Sequence, residues 1–518
     1  MKPILLCPSL LPGIAHAAAP AADADAAFYD AAVQQAFEHY RLPGLAVGVI
    51  EDGKVVHVAT RGELAAGEGR RVDGDTLFKI ASNTKAMTAA VLARLVQAGR
   101  LRWDDPVTRY LPAFRMYDPW VTRNMQVRDL LIHNSGLGLG AGDLMLWPEP
   151  NHFTRQDIIA GLAHLKPAGS FRADYAYDNL LYVVAGEVAA AAGGKSYAAL
   201  VRQEIFVPLG MDRCQVGDWS PAKAGNVAQP HYRKDGRNVV VGRDGDVASD
   251  FPSMAAGGVR CSVDDMLRWM QALLDPARAP GWLDATQRRA LWTAHMPMPI
   301  GQRLRAWDNS HIMAYGYGWR LSDMDGQWKV AHTGTLSGMY SSLALLPDRR
   351  GGVVILINGE GEDARTALMQ ALLKRQTAPA AGHDVLHYAG LLERERTQRR
   401  SEGHVRPVLA PAVAVATREF GADAGVWSDP WFGQVTLCPA GTGIAFAAVK
   451  SPALRGQVMR SAGRPWVQWQ GLGEDAEAWL EFSGEGAQRT LRMRAIDPDI
   501  DFSYDYPDLE FRRVGDCP

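Results

Sequence analysis

The stretch KIASNTKAMTAAVLARLVQAG, residues 79–99, reads as the start of a buried helix. From Met87 onward its apolar residues recur at intervals of three and four, the period of one helix face, and Gly99 is a typical helix end. The first turn holds Ser82 and, three residues later, Lys85. Residues at this spacing share one face of a helix, so the two polar side chains are predicted to meet where the helix enters the core.

This pair has the chemistry of a nucleophile and its base. A serine hydroxyl is a weak nucleophile until a base removes its proton. Lysine can be that base only when neutral, and with an ordinary pKa of about 10.4 only about one lysine in a few thousand is neutral at pH 7. Burial disfavours the charged form and lowers this pKa. A lysine at the start of a buried helix therefore suits general-base chemistry.

The spacing of Ser82 and Lys85 is not specific by itself, because a chain of average composition and this length contains about one or two Ser-x-x-Lys matches by chance. A second match, Ser220 with Lys223, lies in the polar stretch GDWSPAKAGN. No apolar helix follows that stretch, and we interpret it as a chance match.

Two further elements could complete a catalytic site. Tyr177-Asp178-Asn179 places a phenol, which can relay protons, beside an amide that can orient a lysine or a substrate carbonyl. His332-Thr333-Gly334 lies on a predicted strand, where glycine permits close approach and the amide of Thr335 could donate to an oxyanion. Taken singly, the first could be a core tyrosine with a capping asparagine, and the second a strand that ends in a turn.

Taken together and in this order, the three elements resemble the penicillin-binding proteins and class C β-lactamase-like serine hydrolases, including their D-peptidase and esterase branches. The resemblance covers about residues 30–370. It implies that Ser82 is the nucleophile and that Lys85, helped by Tyr177, is its base. The residues that it implies for substrate and oxyanion binding are Asn179, His332, Gly334 and Thr335.

One position departs from the typical pattern. Class C β-lactamases carry a lysine where this chain has His332, and that lysine helps to bind the carboxylate of a β-lactam. Histidine is mostly neutral at pH 7, and the peptidase and esterase branches often have it here. We therefore expect a serine hydrolase that cleaves amide or ester bonds of small peptides or esters. A β-lactamase, and a penicillin-binding or sensor protein that is acylated without turnover, remain alternatives.

The predicted fold of residues 28–375 is α+β, with an antiparallel sheet, flanking helices and a helical subdomain. Residues 44–62, GLAVGVIEDGKVVHVATRG, predict a hairpin that turns at Asp52-Gly53. Further apolar strands follow His332, and helices lie between these two groups. This order favours one sheet that unites the N-terminal and C-terminal parts of the domain.

Residues 376–404 are predicted to be a linker with a connecting helix, and residues 405–518 a small all-β domain. Their short runs alternate with a period of two between Gly, Pro and Asp clusters, which favours a barrel. The stretch resembles the lipocalin-like barrel appended to a subset of these hydrolases. We expect it to be dispensable for the acyl chemistry. Trp427, Trp431 and Phe432 are predicted to cover the first domain or shape the cleft entrance.

The composition and the N-terminal residues indicate which partners and which location to expect. The formal net charge of −2 over 518 residues gives no strong field, so nucleic acid is not an expected partner. Residues 1–19 combine Lys2, an apolar run and Ala15-His16-Ala17, the pattern of a signal peptide. We expect a periplasmic or secreted protein without stable membrane insertion after cleavage, and the alternative is an apolar tail.

The sequence has five cysteines, of which Cys7 lies in the predicted signal peptide. The other four lack the CxxC spacing of zinc sites, and no motif implies a metal or another cofactor. Disulfides are allowed in an oxidising compartment, with the pairing left open, and the sequence does not predict an oligomeric state. The four cysteines are Cys214, Cys261, Cys438 and Cys517.

Overall fold

The computed structural model describes residues 21–518, so the predicted signal peptide lies outside the described residues. The α-helices are α1 Ala21–His39, α2 Thr84–Gln97, α3 Pro119–Asn124, α4 Arg155–Gly161, α5 Leu180–Gly193, α6 Tyr197–Val201, α7 Val207–Leu209, α8 Pro221–Ala224, α9 Met254–Gly257, α10 Val263–Leu274, α11 Ala285–Leu291, α12 Gln302–Asp308, α13 Glu362–Thr377, α14 Val385–Ser401 and α15 Thr417–Phe420. The strands of the first part are β1 Gly44–Glu51, β2 Lys54–Gly62, β3 Phe78–Lys79, β4 His231–Lys234, β5 Arg237–Val240, β6 Arg260–Cys261, β7 Met296–Pro297, β8 Met313–Tyr315, β9 Arg320–Met324, β10 Gln327–Leu336, β11 Met339–Leu346 and β12 Gly351–Ile357. Those of the second part are β13 Val413–Ala414, β14 Gly425–Asp429, β15 Gly433–Ala440, β16 Gly443–Ala448, β17 Arg455–Ser461, β18 Arg464–Trp469, β19 Ala478–Ser483, β20 Thr490–Ala495 and β21 Phe511–Gly515.

An eight-stranded antiparallel sheet in the order β2-β1-β12-β11-β10-β9-β8-β7 forms the frame of the first domain. The pairing of β1 with β12, with Leu45 opposite Ile357, joins the two ends of the domain as predicted. The predicted hairpin is also confirmed. Asp52 and Gly53 both have positive φ, 48° and 76°, which is the backbone of a turn whose twist matches that of its strands.

The two faces of this sheet pack against different helices, because successive side chains on a strand point to opposite faces. Val47 on β1 and Ile355 on β12 belong to one buried cluster with α1, α13 and α14. Ala46 and Val354, their neighbours along the same strands, belong to the larger cluster that contains α2, α5 and α10. Helix α2 is thus buried within the second layer, close to β10.

The segment predicted as a linker with a connecting helix contains the end of α13 and the whole of α14. The first half of α14 is amphipathic, and its buried residues Val385, Tyr388 and Leu392 join the cluster of α1 and α13. The second half, rich in arginine, is largely exposed, as its charge pattern predicts. This helix therefore packs on α1 and α13, the helices that cover the first sheet, before the chain continues to the second domain.

The C-terminal domain is a closed antiparallel barrel, as predicted. Its eight strands follow the order β17-β16-β15-β14-β21-β20-β19-β18, and β18 pairs back onto β17. A closed barrel of this size leaves little interior space, and large side chains fill that space. Trp427 is fully buried inside the barrel. The prediction that it covers the first domain is therefore wrong. Trp431 and Phe432 do contact that domain, at Gly161 and at the ring of Phe153.

Two disulfides pair the four cysteines whose connectivity the sequence left open, Cys214 with Cys261 and Cys438 with Cys517. Cys261 lies opposite Phe78 in the small sheet of β6 and β3, which leads directly to Ser82. Among the helices of residues 21–518, none combines the length and the apolar character that crossing a bilayer requires.

Candidate active site

Ser82 lies in a single 3₁₀ turn, Ala81–Asn83, between β3 and the first residue of α2. Ala81 has a φ of 47°, a conformation that residues with a side chain adopt rarely and that is typical of functional sites. The turn leaves Ser82 half-buried at the wall of a large cavity. Lys85 follows in the first turn of α2, as the sequence predicts.

The ammonium group of Lys85 is fully buried and has three hydrogen-bond partners. Its Nζ lies 3.1 Å from the Ser82 Oγ, 2.8 Å from the Asn179 Oδ1 and 2.9 Å from the carbonyl oxygen of Ala256. Burial lowers the pKa of Lys85 to about 7, although the nearby Asp143 carboxylate acts in the opposite direction. About half of the lysine is therefore neutral near pH 7, able to accept the proton of Ser82.

Tyr177 lies beside this pair, with its ring centroid 4.8 Å from the Lys85 Nζ. Burial raises the pKa of Tyr177 to about 12, with Arg320 and Ser82 acting in the opposite direction. The phenol therefore keeps its proton at neutral pH. It can donate or relay a proton, whereas Lys85 is the group that can accept one.

Asn179 precedes α5 and orients the lysine. Its Oδ1 accepts from the Lys85 Nζ, and its Nδ2 donates to the Asp143 Oδ2 at 2.8 Å. The carboxyl group of Asp143 is fully buried, and burial raises its pKa well above the usual range. Sequence reasoning missed Asp143, which follows a Gly-rich stretch with no motif of its own.

His332 occupies β10 but points away from the cavity. Its ring is buried, with the Nε2 2.9 Å from the hydroxyl of Tyr315. Burial, together with the positive charges of Arg320 and Lys85, lowers the pKa of His332 well below its usual value, so the ring is neutral. His332 lies behind the cavity wall, which corrects the expectation that its side chain contacts substrate.

Gly334 and Thr335 lie where β10 passes the turn of Ser82. A Cβ on Gly334 would lie 2.2 Å from the carbonyl oxygen of Ile80 and 3.0 Å from the Cβ of Ala81. Glycine is therefore required here by the chain that carries Ser82, in addition to any need of the substrate. Thr335 lines the same cavity as Ser82, a position compatible with the expected donation from its amide to an oxyanion.

Arg320 is the cation at this part of the cavity, and sequence reasoning missed it. It begins β9, opposite Ala331 of β10, and its Nη1 donates to the Thr333 Oγ1 at 3.0 Å. The guanidinium lies 5.8 Å from the ring centroid of Tyr177 and lines the cavity. Only the register between β9 and β10 reveals this neighbour, since no local pattern marks the arginine.

The cavity has a volume of about 1570 Å³ and is lined by both domains. The first domain contributes Ser82 together with Tyr175, Tyr177, Asn179, Arg320, Thr333 and Thr335. The barrel contributes Leu472, Asp475, Asp501, Phe502, Ser503 and Tyr504. These barrel residues were not predicted at the site, because they lie far from every motif in the sequence.

Comparisons with known proteins identify the family and several relatives. A family model described as Beta-lactamase matches residues 29–376. The chain is 27% identical over 421 residues to "Unguisins hydrolase ungD'" of Aspergillus campestris (strain IBT 28561), covering 78% of this chain and 76% of that protein. It is 30% identical over 365 residues to "Esterase EstB" of Burkholderia gladioli, covering 64% and 89%.

A solved structure shares the fold across both domains. It is described as the octameric penicillin-binding protein homologue from Pyrococcus abyssi, and it covers 90% of this chain and 98% of its own. The TM-score is 0.58 and the sequence identity is 20%. The likeness extends well beyond residues 29–376, so it includes the barrel as well as the first domain.

Proposed function

The chain belongs to the Beta-lactamase family and is a serine hydrolase, and on that premise we propose that it cleaves amide or ester bonds of small peptides or esters through an acyl-enzyme on Ser82. One observation carries this proposal. The Nζ of a fully buried lysine, with its pKa lowered to about 7, lies 3.1 Å from a serine hydroxyl at a cavity wall. A base within hydrogen-bond reach is what a serine nucleophile needs.

In the proposed reaction the Ser82 Oγ attacks the substrate carbonyl while neutral Lys85 takes its proton. The amides of Ser82 and Thr335 stabilise the oxyanion of the tetrahedral intermediate. Lys85, with Tyr177 as relay, then returns the proton to the leaving amine or alcohol, and the acyl-enzyme forms. Water attacks the acyl group with Lys85 again as base, and Ser82 recovers its proton as the acid product leaves.

The cavity supports this substrate class. Its volume and the tyrosines in its wall leave space for a small peptide, including one with D-residues, or for an ester with a bulky group. Arg320 offers a positive charge near Ser82 to a carbonyl or carboxylate of such a substrate. The ester class has further support from the relative named esterase.

The same arginine favours a second candidate, reaction with β-lactams, with or without turnover. His332 is neutral and buried, so it cannot bind the carboxylate of a β-lactam. Arg320 lines the cavity and provides a cation at a different position. Intact mass after incubation with penicillin separates the outcomes, because a stable adduct indicates acylation without turnover and free enzyme with hydrolysed drug indicates a β-lactamase.

We also propose export to the periplasm or the outside of the cell. The signal-peptide pattern of residues 1–19 motivates this location. The two disulfides support it, since such bonds persist in oxidising compartments and are rare in the cytosol of mesophiles. Comparing the N-terminal sequence of the protein from the cell envelope or medium with that of the full chain tests cleavage.

The central test compares Ser82→Ala with Ser220→Ala, which alters the serine of the second Ser-x-x-Lys match. Ser220 caps the short helix α8 and lies far along the chain from every motif of the site. We expect Ser82→Ala to lower kcat by about 1000-fold or more on p-nitrophenyl esters and D-amino-acid amides. It should also abolish the mass shift from a fluorophosphonate, while Ser220→Ala keeps both. A Ser82→Ala enzyme with a tenth of the normal kcat would remove Ser82 from the mechanism.

A further inference from the structure

We propose that Ser503, in the barrel loop of residues 496–510 between β20 and β21, is a positioning residue of the active site that holds the catalytic lysine in place through Asp143 and Asn179. The inference rests on the proposed roles of Ser82 and Lys85. It makes the second domain a part of the catalytic machinery, whereas the sequence predicts that it is dispensable.

A continuous series of hydrogen bonds connects the barrel to the lysine. The Ser503 Oγ donates to the Asp143 Oδ2 at 2.9 Å. The same oxygen accepts from the Asn179 Nδ2 at 2.8 Å, and the Asn179 Oδ1 accepts from the Lys85 Nζ at 2.8 Å. Three hydrogen bonds therefore separate a side chain of one domain from the base of the other.

The orientation of Asn179 depends on this series. Its amide has to present the oxygen to Lys85, and a turned amide would present an N–H group instead. The Asp143 Oδ2 accepts from the Asn179 Nδ2 and so keeps the amide nitrogen on the side away from Lys85. The Asp143 Oδ1 has no hydrogen-bond partner among residues 21–518, so Ser503 and Asn179 together hold this carboxyl group.

Burial makes each of these bonds important. Asp143 and Lys85 are fully buried, and Asn179 is 3% exposed. A polar group left without its partner in such surroundings loses much more than the net value of one hydrogen bond, because water cannot replace the partner. Removing the Ser503 hydroxyl should therefore let the Asp143 carboxyl group and the Asn179 amide turn to new partners.

The loop is docked firmly enough to act in this way. The Asp505 Oδ2 accepts from the backbone N–H of Gly142 at 2.6 Å. The ring of Phe502 packs edge-on against Tyr177, with 5.8 Å between centroids. A Cβ on Gly140 would lie 2.6 Å from the carbonyl oxygen of Phe502, so the two backbones approach closely only because this residue is a glycine.

Other contacts between the domains lie away from the lysine and provide a contrast. The ion pair of Lys450 with Asp157, at 2.6 Å, joins the barrel to α4 at a partly exposed position. If the barrel acted only as a packing partner, such contacts would matter as much as Ser503. The hydrogen bonds of Ser503 and Asp505 instead converge on Gly142 and Asp143, next to the site.

The test is Ser503→Ala in the full-length protein. We expect kcat on a p-nitrophenyl ester to fall about 10- to 100-fold with little change in KM, and fluorophosphonate labelling to slow in parallel. Ser503→Thr keeps the hydroxyl and should restore most of the rate. The matched control is Ser483→Ala, which removes an exposed barrel hydroxyl that contacts Thr490 and should leave kcat unchanged.

A second arm uses Asp143→Asn alone and combined with Ser503→Ala. Because the two residues act in one series, the double variant should lose little more than the more affected single variant. Multiplicative losses would overturn the proposal. A Ser503→Ala enzyme within twofold of the normal kcat would also overturn it. So would a Ser503→Ala enzyme whose loss of kcat accompanies a lower melting temperature and is not restored in Ser503→Thr. If Ser503→Ala does not fold, Ser503→Cys, of similar size and weaker donor strength, replaces it with the same expected results.

Ser82→Ala, assayed beside these variants, separates the two proposals. An active Ser82→Ala enzyme would overturn the proposed function itself. An inactive Ser82→Ala enzyme together with a normal Ser503→Ala enzyme would overturn only the role of the barrel loop.

Discussion

In the proposed mechanism, Lys85 links the protonation state of the site to its activity. The group accepts the Ser82 proton only when neutral, and burial lowers its pKa to about 7. A lysine with its ordinary pKa of about 10.4 would leave the enzyme almost inactive at neutral pH. We therefore expect the buried position of this one side chain to set the pH range in which the hydrolase works.

We expect kcat/KM to fall about tenfold for each pH unit below about pH 7, because the protonated lysine cannot act as base. Activity should be retained as pH rises above this value. A pH–rate profile on an ester measures the midpoint, and Lys85→Arg, which stays charged, should be inactive throughout.

The pH–rate profile needs a control for the titration of Asp178, because burial raises the pKa of its carboxyl group to about 6. Asp178→Asn keeps the acceptor for the backbone amide of Leu181 and should leave the midpoint unchanged. A midpoint that disappears in this variant, or a wild-type profile that is flat between pH 5 and 8, would contradict the assignment to Lys85.

At the scale of elements, β10 and the 3₁₀ turn of Ser82 are fitted to one another. The backbone of Ile80 and Ala81 lies against Gly334, and the Ser341 Oγ on β11 donates to the carbonyl oxygen of Ile80 at 2.7 Å. The strand thus supports the turn that carries the nucleophile. The glycine of the His-Thr-Gly motif has a structural reason that does not depend on substrate.

Gly334→Ala tests this fit. The added Cβ would meet a backbone carbonyl oxygen at 2.2 Å, which cannot rotate away as a side chain can. Overpacking of this kind costs about 1–3 kcal/mol of folding free energy. The displacement of Ser82 should separately lower kcat at least about tenfold, which corresponds to about 1.4 kcal/mol in the activation barrier. The control is Gly245→Ala, where the space around the new Cβ is open. Normal kcat and melting temperature in Gly334→Ala would show that the contact is tolerated.

At the scale of the whole molecule, the barrel is the second wall of the cavity. Residues 471–473, 475 and 501–504 line it together with Ser82 and Tyr177. Phe432 and Trp431 meanwhile pack on the first domain at Phe153 and Gly161. The two domains therefore line one cavity, although each has its own sheet.

We expect a chain that ends at residue 404 to lose ester turnover and to react with a fluorophosphonate at least about tenfold more slowly, because it lacks the hydrogen bond to Asp143. The measurement uses the soluble fraction and compares labelling rates with those of the full chain. The full-length variant Phe502→Ala/Asp505→Ala tests the same dependence without removing the domain. Rates equal to those of the full chain in either protein would restore the prediction that the barrel is dispensable.

Local patterns in the sequence were sufficient to predict several elements of this protein's fold. Helical periodicity indicated α2 with Lys85 in its first turn, Asp52-Gly53 indicated the hairpin, and alternation indicated the barrel. Ser82 was predicted in the same helical turn but lies in the 3₁₀ turn before α2. These features depend on residues close together in the chain, where spacing alone decides which side chains share a face. The motifs around Tyr177 and His332 are also local, but they were recognised only through the resemblance of the three elements, in this order, to a known family.

Only the tertiary structure decided what surrounds those motifs. Arg320 lines the cavity because of the register between β9 and β10. His332 does not line it, because its side chain is buried beside the ring of Tyr315. Ser503 and Asp143 are 360 residues apart, and a contact over that distance leaves no periodic or spacing signal in the chain. The sequence predicts that burial lowers the pKa of Lys85, but only the tertiary structure makes that burial complete.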